Sequence, residues 1–377
     1  MSHDHIDRTL KHNDIFGTIH IKNELETQAD KKNLKGKFCS LPFSGIEVDS
    51  TGKVYTCCVA HMPYSIGNIY EQTLEDIWKG EKAKLIRESI LDGSYRYCMH
   101  TICPRIVHED LPDLREENKI ELVEEPTRAS LNLDSTCNLY CPSCRKTKID
   151  FNSDDQQQLK IKSGLDNVIS YIFSQPSDKR ISLSVTGSGD PFYSVVYRDF
   201  LFNFDPAPWP NLKLNLVTHG VMLTEKYWDK MSKWHKRLNS IQITVDAATE
   251  STYNKLRPGG NWKTLLENLK MLGEKLIDFP ETRLELYFIV QQGNYKEIVE
   301  FIDLINNLIV RGNVVFVFNK IMDWGTFSYE DFKEHAIWRP DHQDYANYLS
   351  IINFVKNKQQ VDAHWGRYIG MNYGDIF

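Results

Sequence analysis

From residue 129 onward, short segments with apolar residues at every second position alternate with longer amphipathic ones. In Ala129-Ser-Leu-Asn-Leu-Asp134 the leucines recur with the period of a half-buried strand. The same pattern predicts strands at 181–186, 212–218, 240–246, 284–290 and 313–318. Helical stretches separate them. One runs from about Gln156 to Phe173 behind a cap at Ser153 or Asp155; another shows Ile298, Phe301, Ile302 and Ile305 on one face. Six strands, each but the last followed by a helical pattern, predict an α/β fold with a parallel sheet and right-handed crossovers. The region 38–104 lacks this rhythm. There Thr73 and Asp76 have near-capping-box spacing, and Leu74, Ile77 and Trp78 open an apolar helical face.

At 377 residues, and roughly 150 per domain, the chain has room for two or three domains. Its 41% apolar and 25% charged residues argue against a mostly disordered chain. Forty-five basic against fifty-one acidic side chains leave a net charge of −6, a poor balance for a protein held on nucleic acid by charge. The stretch Lys31-Lys-Asn-Leu-Lys-Gly-Lys37 reads as a solvated linker. No run of about 18 apolar residues is present, so no membrane-spanning helix is expected. The first residues, Met1 to His20, carry charges and histidines where a secretory signal would be apolar, and a cytoplasmic location is expected. In that compartment clustered cysteines point to metal binding or redox chemistry rather than disulfides.

All eight cysteines lie between Cys39 and Cys144, whereas an ordinary core would scatter its thiols. Cys137-Asn-Leu-Tyr-Cys141-Pro-Ser-Cys144 places three thiols on one loop leaving a strand end, where α/β folds place ligands. Structural zinc would need a fourth ligand from elsewhere. A 4Fe-4S cluster held by three thiolates keeps one iron open for a small molecule.

This loop resembles that of the radical S-adenosylmethionine (SAM) superfamily, and the resemblance extends over about 128–320. It implies that Cys137, Cys141 and Cys144 ligate the cluster and that the amino and carboxylate groups of SAM chelate the open iron. In the family, one electron then cleaves the sulfonium C–S bond, and the resulting 5′-deoxyadenosyl radical removes a substrate hydrogen. Ser143 departs from the aromatic residue usual just before the third cysteine. Downstream, Ser188-Gly189-Asp190 resembles the Gly-Gly-Glu turn that contacts the methionine amino group, with Asp190 offering a carboxylate to an ammonium. Thr218-His219-Gly220 resembles a Thr-Asn-Gly turn, and Thr244 and Asp246 occupy the strand end that approaches the ribose. His219 reads equally as a pocket residue or a structural one. The resemblance also refines the α/β reading to a partial (β/α)6 barrel.

Residues 38–104 resemble the SPASM/twitch auxiliary-cluster domains of the same superfamily: a cysteine, a hairpin ending in Cys57-Cys58, a Gly67-Asn68 turn, a short helix and a closing pair, Cys98 and Cys103. The implied ligands of an auxiliary 4Fe-4S cluster are Cys39, Cys57, Cys98 and Cys103, with Cys58 spare or substituting for Cys57. A zinc ribbon is the alternative, which thiolates alone do not separate from iron. Here the module precedes the barrel, whereas relatives usually carry it after, and five cysteines suit one auxiliary cluster rather than two.

The division expected is an extension at 1–37, the auxiliary module at 38–104, an acidic linker at 105–127, the barrel at 128–320 and an aromatic-rich segment at 321–377. The last covers the barrel's open side or packs in its core. Neither the four N-terminal histidines (His3, His5, His12, His20) nor His335, His342 and His364 show a spacing that selects a site. The resemblance implies an enzyme using SAM, a 4Fe-4S cluster and a reductant such as flavodoxin or ferredoxin. Relatives with auxiliary clusters act on peptides or proteins, the substrate class favoured here, and others on sugars and small metabolites. The contrasting reading is a non-catalytic iron–sulfur or zinc protein.

Overall fold

The computed structural model describes residues 31–59, 61–115, 125–361 and 369–370. The N-terminal histidines, Glu116, Glu117, Glu124, His364, Trp365, Tyr368 and Tyr373 lie outside them. Two compact units divide the chain: Met1–Asp134 with Gln156–Ser184, and Ser135–Asp155 with Val185–Phe377.

In the first unit, α1 (Leu41–Ser44), with a proline at its start, leads into β1 (Gly45–Val48). A tight turn returns the chain as β2 (Lys53–Tyr55), antiparallel to β1. Asp49 builds the turn by accepting from the backbone N–H groups of Thr51 (2.8 Å) and Lys53 (3.1 Å), while Gly52 takes φ +83°. β3 (Gly67–Asn68) pairs with β2. α2 (Leu74–Lys79) starts as its sequence predicts: Thr73 Oγ1 accepts from Asp76 N (3.1 Å) and donates to Asp76 Oδ2 (2.7 Å). Leu74, Ile77 and Trp78 are buried. α3 (Glu81–Leu91) and α4 (Pro104–Val107) complete the module.

β4 (Arg128–Leu131) then lies parallel to β1, from Gly45 opposite Arg128 to Val48 opposite Leu131. α5 (Asp155–Ile172) buries Ile161, Leu165, Val168 and Ile172, close to the predicted span. Asn167 on this helix accepts from Leu74 N (3.0 Å) and donates to Ile69 O (3.0 Å) and Gln72 O (2.9 Å). At Gly164 a side chain would meet the Tyr70 ring at 2.7 Å, so glycine permits the close approach. The compact units therefore differ from the modules expected from sequence. Because β1 pairs with β4 and α2 is bonded to α5, the first β/α repeat is built into the cysteine-rich module.

The chain passes between units at β5 (Ser182–Val185). The second unit carries α6 (Val195–Asn203), β6 (Lys213–Thr218), α7 (Glu225–Lys230), β7 (Leu238–Thr244), α8 (Glu250–Leu256) and α9 (Trp262–Lys275). β8 (Arg283–Val290), α10 (Ile298–Leu308), β9 (Val314–Lys320), α11 (Tyr329–His335), α12 (Tyr345–Val361) and β10 (Ile369–Gly370) follow. β6 to β9 pair parallel in sequence order, and β10 adds to β9. Ile298, Phe301, Ile302 and Ile305 on α10 are wholly buried, each removal from water stabilising by about 1.5–3 kcal/mol. The C-terminal aromatics split: Tyr348 is in the core, but Trp324 is 60% exposed, against simple core packing for it. No helix among the described residues is long and apolar enough to cross a membrane.

Candidate iron–sulfur and cofactor site

In the second unit the three-cysteine loop is held from several sides. Cys137 N donates to Ile149 O (2.9 Å), and the N–H groups of Cys144 and Arg145 close a turn on Cys141 O (2.9 and 3.0 Å). Tyr140 N donates to Pro258 O (3.1 Å). Gly259 has φ +90° and lies so near that an added Cβ would sit 2.7 Å from Asn138 O. Cys137 and Cys141 are buried and Cys144 is exposed. Burial first, then the Asp190 charge, pushes the Cys137 thiol up to about 12; burial also raises Cys141.

Each sulfur accepts one protein N–H: Cys137 from the backbone of Leu139 (3.4 Å), Cys141 from Arg257 Nη1 (3.5 Å), Cys144 from Arg145 Nη2 (3.4 Å). Such donors suit sulfur that carries negative charge, as a metal-bound thiolate does. Arg145 also donates to Ser135 O (2.7 Å) and Ser188 O (2.5 Å), joining the cysteine loop to the Ser188-Gly189-Asp190 turn. Arg257 forms an ion pair with Asp246 (2.8 Å). Burial works against the Arg257 charge, but Asp246 and then Cys141 outweigh it and hold the guanidinium firmly protonated.

The ends of successive strands bend through left-handed backbone: Thr186 (φ 53°), Gly220 (φ 80°) and Asp246 (φ 63°). For a β-branched residue such as Thr186 this is strained, and strain of this kind gathers at functional sites. Gly189 N donating to Thr186 Oγ1 (3.0 Å) holds the bend. At Gly220 a Cβ would meet Leu265 at 2.8 Å and Ile243 at 2.9 Å.

Both carboxylates that the sequence offers to ligand have protein partners. Asp190, 1% exposed, receives the N–H groups of Phe192 (3.0 Å) and Tyr193 (3.1 Å) on Oδ1, and Thr218 Oγ1 (2.5 Å) and His219 N (3.0 Å) on Oδ2. Thr218 Oγ1 in turn accepts from Gly220 N (3.1 Å). Asp246 receives Ile289 N (2.6 Å) besides Arg257. Both carboxylates and the Thr218 hydroxyl therefore brace turns, while Thr244 ends β7 half-buried. His219 is structural: its Nδ1 accepts from Val221 N (3.1 Å), so Nε2 carries the proton and donates to Asn138 Oδ1 (2.8 Å). Burial lowers its pKa and keeps the ring neutral. His342 braces a turn through Glu334 O (3.0 Å) and Asp344 N (3.1 Å). Sequence reasoning missed Arg145, Arg257, Asn138 and Gly259. The signals were slight: an arginine directly after the last cysteine, and Arg257-Pro-Gly-Gly260 before a helix cap.

In the first unit, Cys39, Cys57, Cys98 and Cys103 line one cavity of about 220 Å³ walled by Met62, Ile90 and Leu111; Cys58 is not among its lining residues. Several times the roughly 30 Å³ share of a water, this cavity has room for a polynuclear cluster. Burial first, then neighbouring cysteines, pushes the Cys57 thiol up to about 12; the same causes raise Cys98. Thiols arranged around a cavity of this size fit a cluster. A further cavity of about 280 Å³, beside Lys233, Lys236, Arg237 and Phe279, contains no thiol and precedes β7, away from the strand ends described above.

Residues 131–305 match the model of the Radical SAM superfamily, and residues 39–105 match that of SPASM, an iron-sulfur cluster-binding domain. The chain is a radical SAM protein with a SPASM domain ahead of its α/β repeats, which are those of the superfamily's partial barrel. Its domains imply a 4Fe-4S cluster, SAM and auxiliary iron–sulfur binding. Among solved structures it is similar to a mutant spore photoproduct lyase bound to a dinucleoside spore photoproduct, at 9% identity and a TM-score of 0.39, over 63% of this chain and 80% of that one. No curated protein matches the chain.

Proposed function

We propose that this enzyme cleaves SAM reductively and uses the 5′-deoxyadenosyl radical to take a hydrogen atom from a peptide or protein. The observation that carries this reading is the three-sulfur loop, with a protein N–H on every sulfur and Arg145 tying it to the Ser188-Gly189-Asp190 turn. Cys137, Cys141 and Cys144 are its cluster ligands. With the group bound, one electron from an external reductant divides SAM into methionine and the 5′-deoxyadenosyl radical; a substrate C–H then supplies the hydrogen that makes 5′-deoxyadenosine.

The chain's own residues provide position. Because Asp190 braces the turn, the backbone around Ser188 and Gly189 would meet the methionine end of SAM when it is bound. Thr218 and Asp246 likewise hold their strand ends, leaving Thr244 as the side chain toward the ribose. Cys39, Cys57, Cys98 and Cys103 hold the auxiliary cluster of the SPASM-type module; the peptide or protein substrate rests on the resemblance to relatives that carry auxiliary clusters. Full reconstitution with iron and sulfide under anaerobic conditions, followed by dithionite and SAM, is expected to yield 5′-deoxyadenosine. An iron-loaded protein that forms none would be an electron carrier, and the proposal would fall.

A further inference from the structure

The three sulfurs of the loop do not share one environment. Among the described residues Cys137 receives a backbone N–H, from Leu139, whereas Cys141 and Cys144 each receive a guanidinium N–H, from Arg257 and Arg145. The two cations also differ. Arg257 is offset by Asp246 at 2.8 Å. Arg145 is anchored by the carbonyl oxygens of Ser135 and Ser188, and no carboxylate pairs with it among the described residues.

Adding an electron to a thiolate-bound cluster adds negative charge at the sulfurs. A neighbouring cation and an N–H pointed at sulfur both favour that added charge, which raises the reduction potential. Resting on the proposal that Cys137, Cys141 and Cys144 are the ligands, we propose that Arg145 and Arg257 are positioning residues that raise the potential of this cluster, Arg145 the more strongly. Their effect works through hydrogen bonds to ligand sulfur, and Arg145 couples it to the methionine-side turn through Ser188 O. The one-electron step takes its electron from an external low-potential donor and converts the 2+ cluster to the 1+ cluster, with no bond made or broken in the protein.

The test is a dithionite titration of the reconstituted full-length protein, followed by electron paramagnetic resonance and normalised to iron content. The component to follow is the one whose line shape changes on adding SAM, which separates it from the auxiliary cluster. At the wild-type midpoint, Arg145→Gln is expected to lower the ratio of reduced to oxidised cluster about tenfold, or ~59 mV for a one-electron couple. Arg145→Lys keeps the charge and should stay within about threefold of wild type, as should Arg257→Lys. An Arg145→Gln midpoint equal to wild type at full iron content overturns the inference. So does an Arg145→Lys midpoint as low as that of Arg145→Gln. Failure of both Arg145 variants to hold iron, with Arg257→Lys loaded, reduces Arg145 to a loop brace and also overturns it. A wild-type protein lacking any SAM-responsive signal would instead remove the ligand assignment beneath it.

Discussion

The two cysteine sites solve the same chemical problem with different surroundings. In the second unit, three thiols sit on a loop at the strand ends, one of them exposed, and two guanidinium groups reach their sulfurs. In the first, four thiols line a cavity walled by apolar side chains, and Arg105 is the cationic side chain among its lining residues. A polar, partly open setting leaves a coordination position for a substrate to occupy and supplies charge to adjust the electronics. Four thiols around an apolar cavity match in number the four irons of a 4Fe-4S cluster. The contrast lies in cysteine number and in the charged side chains near the sulfurs, because burial does not divide the sites: Cys137 and Cys141 are buried, whereas Cys39, Cys57, Cys98 and Cys103 are half-buried.

The sharpest way to break this contrast is to remove one thiol from each site. Cys141→Ala is expected to abolish 5′-deoxyadenosine formation, while Cys98→Ala retains uncoupled SAM cleavage. Equal loss, measured by chromatography of the products, would erase the division of roles. A smaller effect is expected from Asp246→Asn, which keeps a residue that tolerates the left-handed backbone but strands a buried cation. It should cost about 3 kcal/mol in chemical denaturation of the second unit. Denaturation no easier than wild type would mean that Arg257 finds a substitute partner.

The smallest effect concerns the first unit alone. Burial, then the Asp49 charge, raises the Glu47 carboxyl to about 7. The folded state therefore binds this proton more tightly than the unfolded chain, so the stabilisation is complete below the ordinary carboxylate pKa of 4.5 and is lost as pH rises toward about 7. Glu47→Gln should stabilise the unit by about 1–2 kcal/mol at pH 8, after allowing for solvent screening, and by almost nothing at pH 4. Urea midpoints at the two pH values check this, and an equal gain at both would assign the effect to packing instead of charge.

Much of the repeat architecture was legible because burial on one face of a strand imposes an every-second-residue pattern that any reader can count. The six strands lie within a few residues of their expected places, and the Thr73 cap forms as its spacing demands. The four thiols assigned to the first site line one cavity. What stayed hidden is contact between remote positions. Arg257 reaches the Cys141 sulfur across 116 residues, and no local pattern marks that meeting. Asp190 shows the converse difficulty: a carboxylate in a glycine-rich turn looks available for ligand until its four donors are seen. The pairing of β1 with β4 is likewise a contact between remote positions that leaves no trace in composition.

That pairing makes the cysteine-rich segment a poor candidate for trimming. Cutting the chain ahead of β4 would strip away its neighbour from Gly45 to Val48 and bare a row of backbone donors and acceptors. Such a raw margin recruits other chains. Shortened versions intended to isolate the SAM-cleaving half would therefore need a replacement strand, or a charged guard along that border, before their behaviour could be compared with the intact protein's.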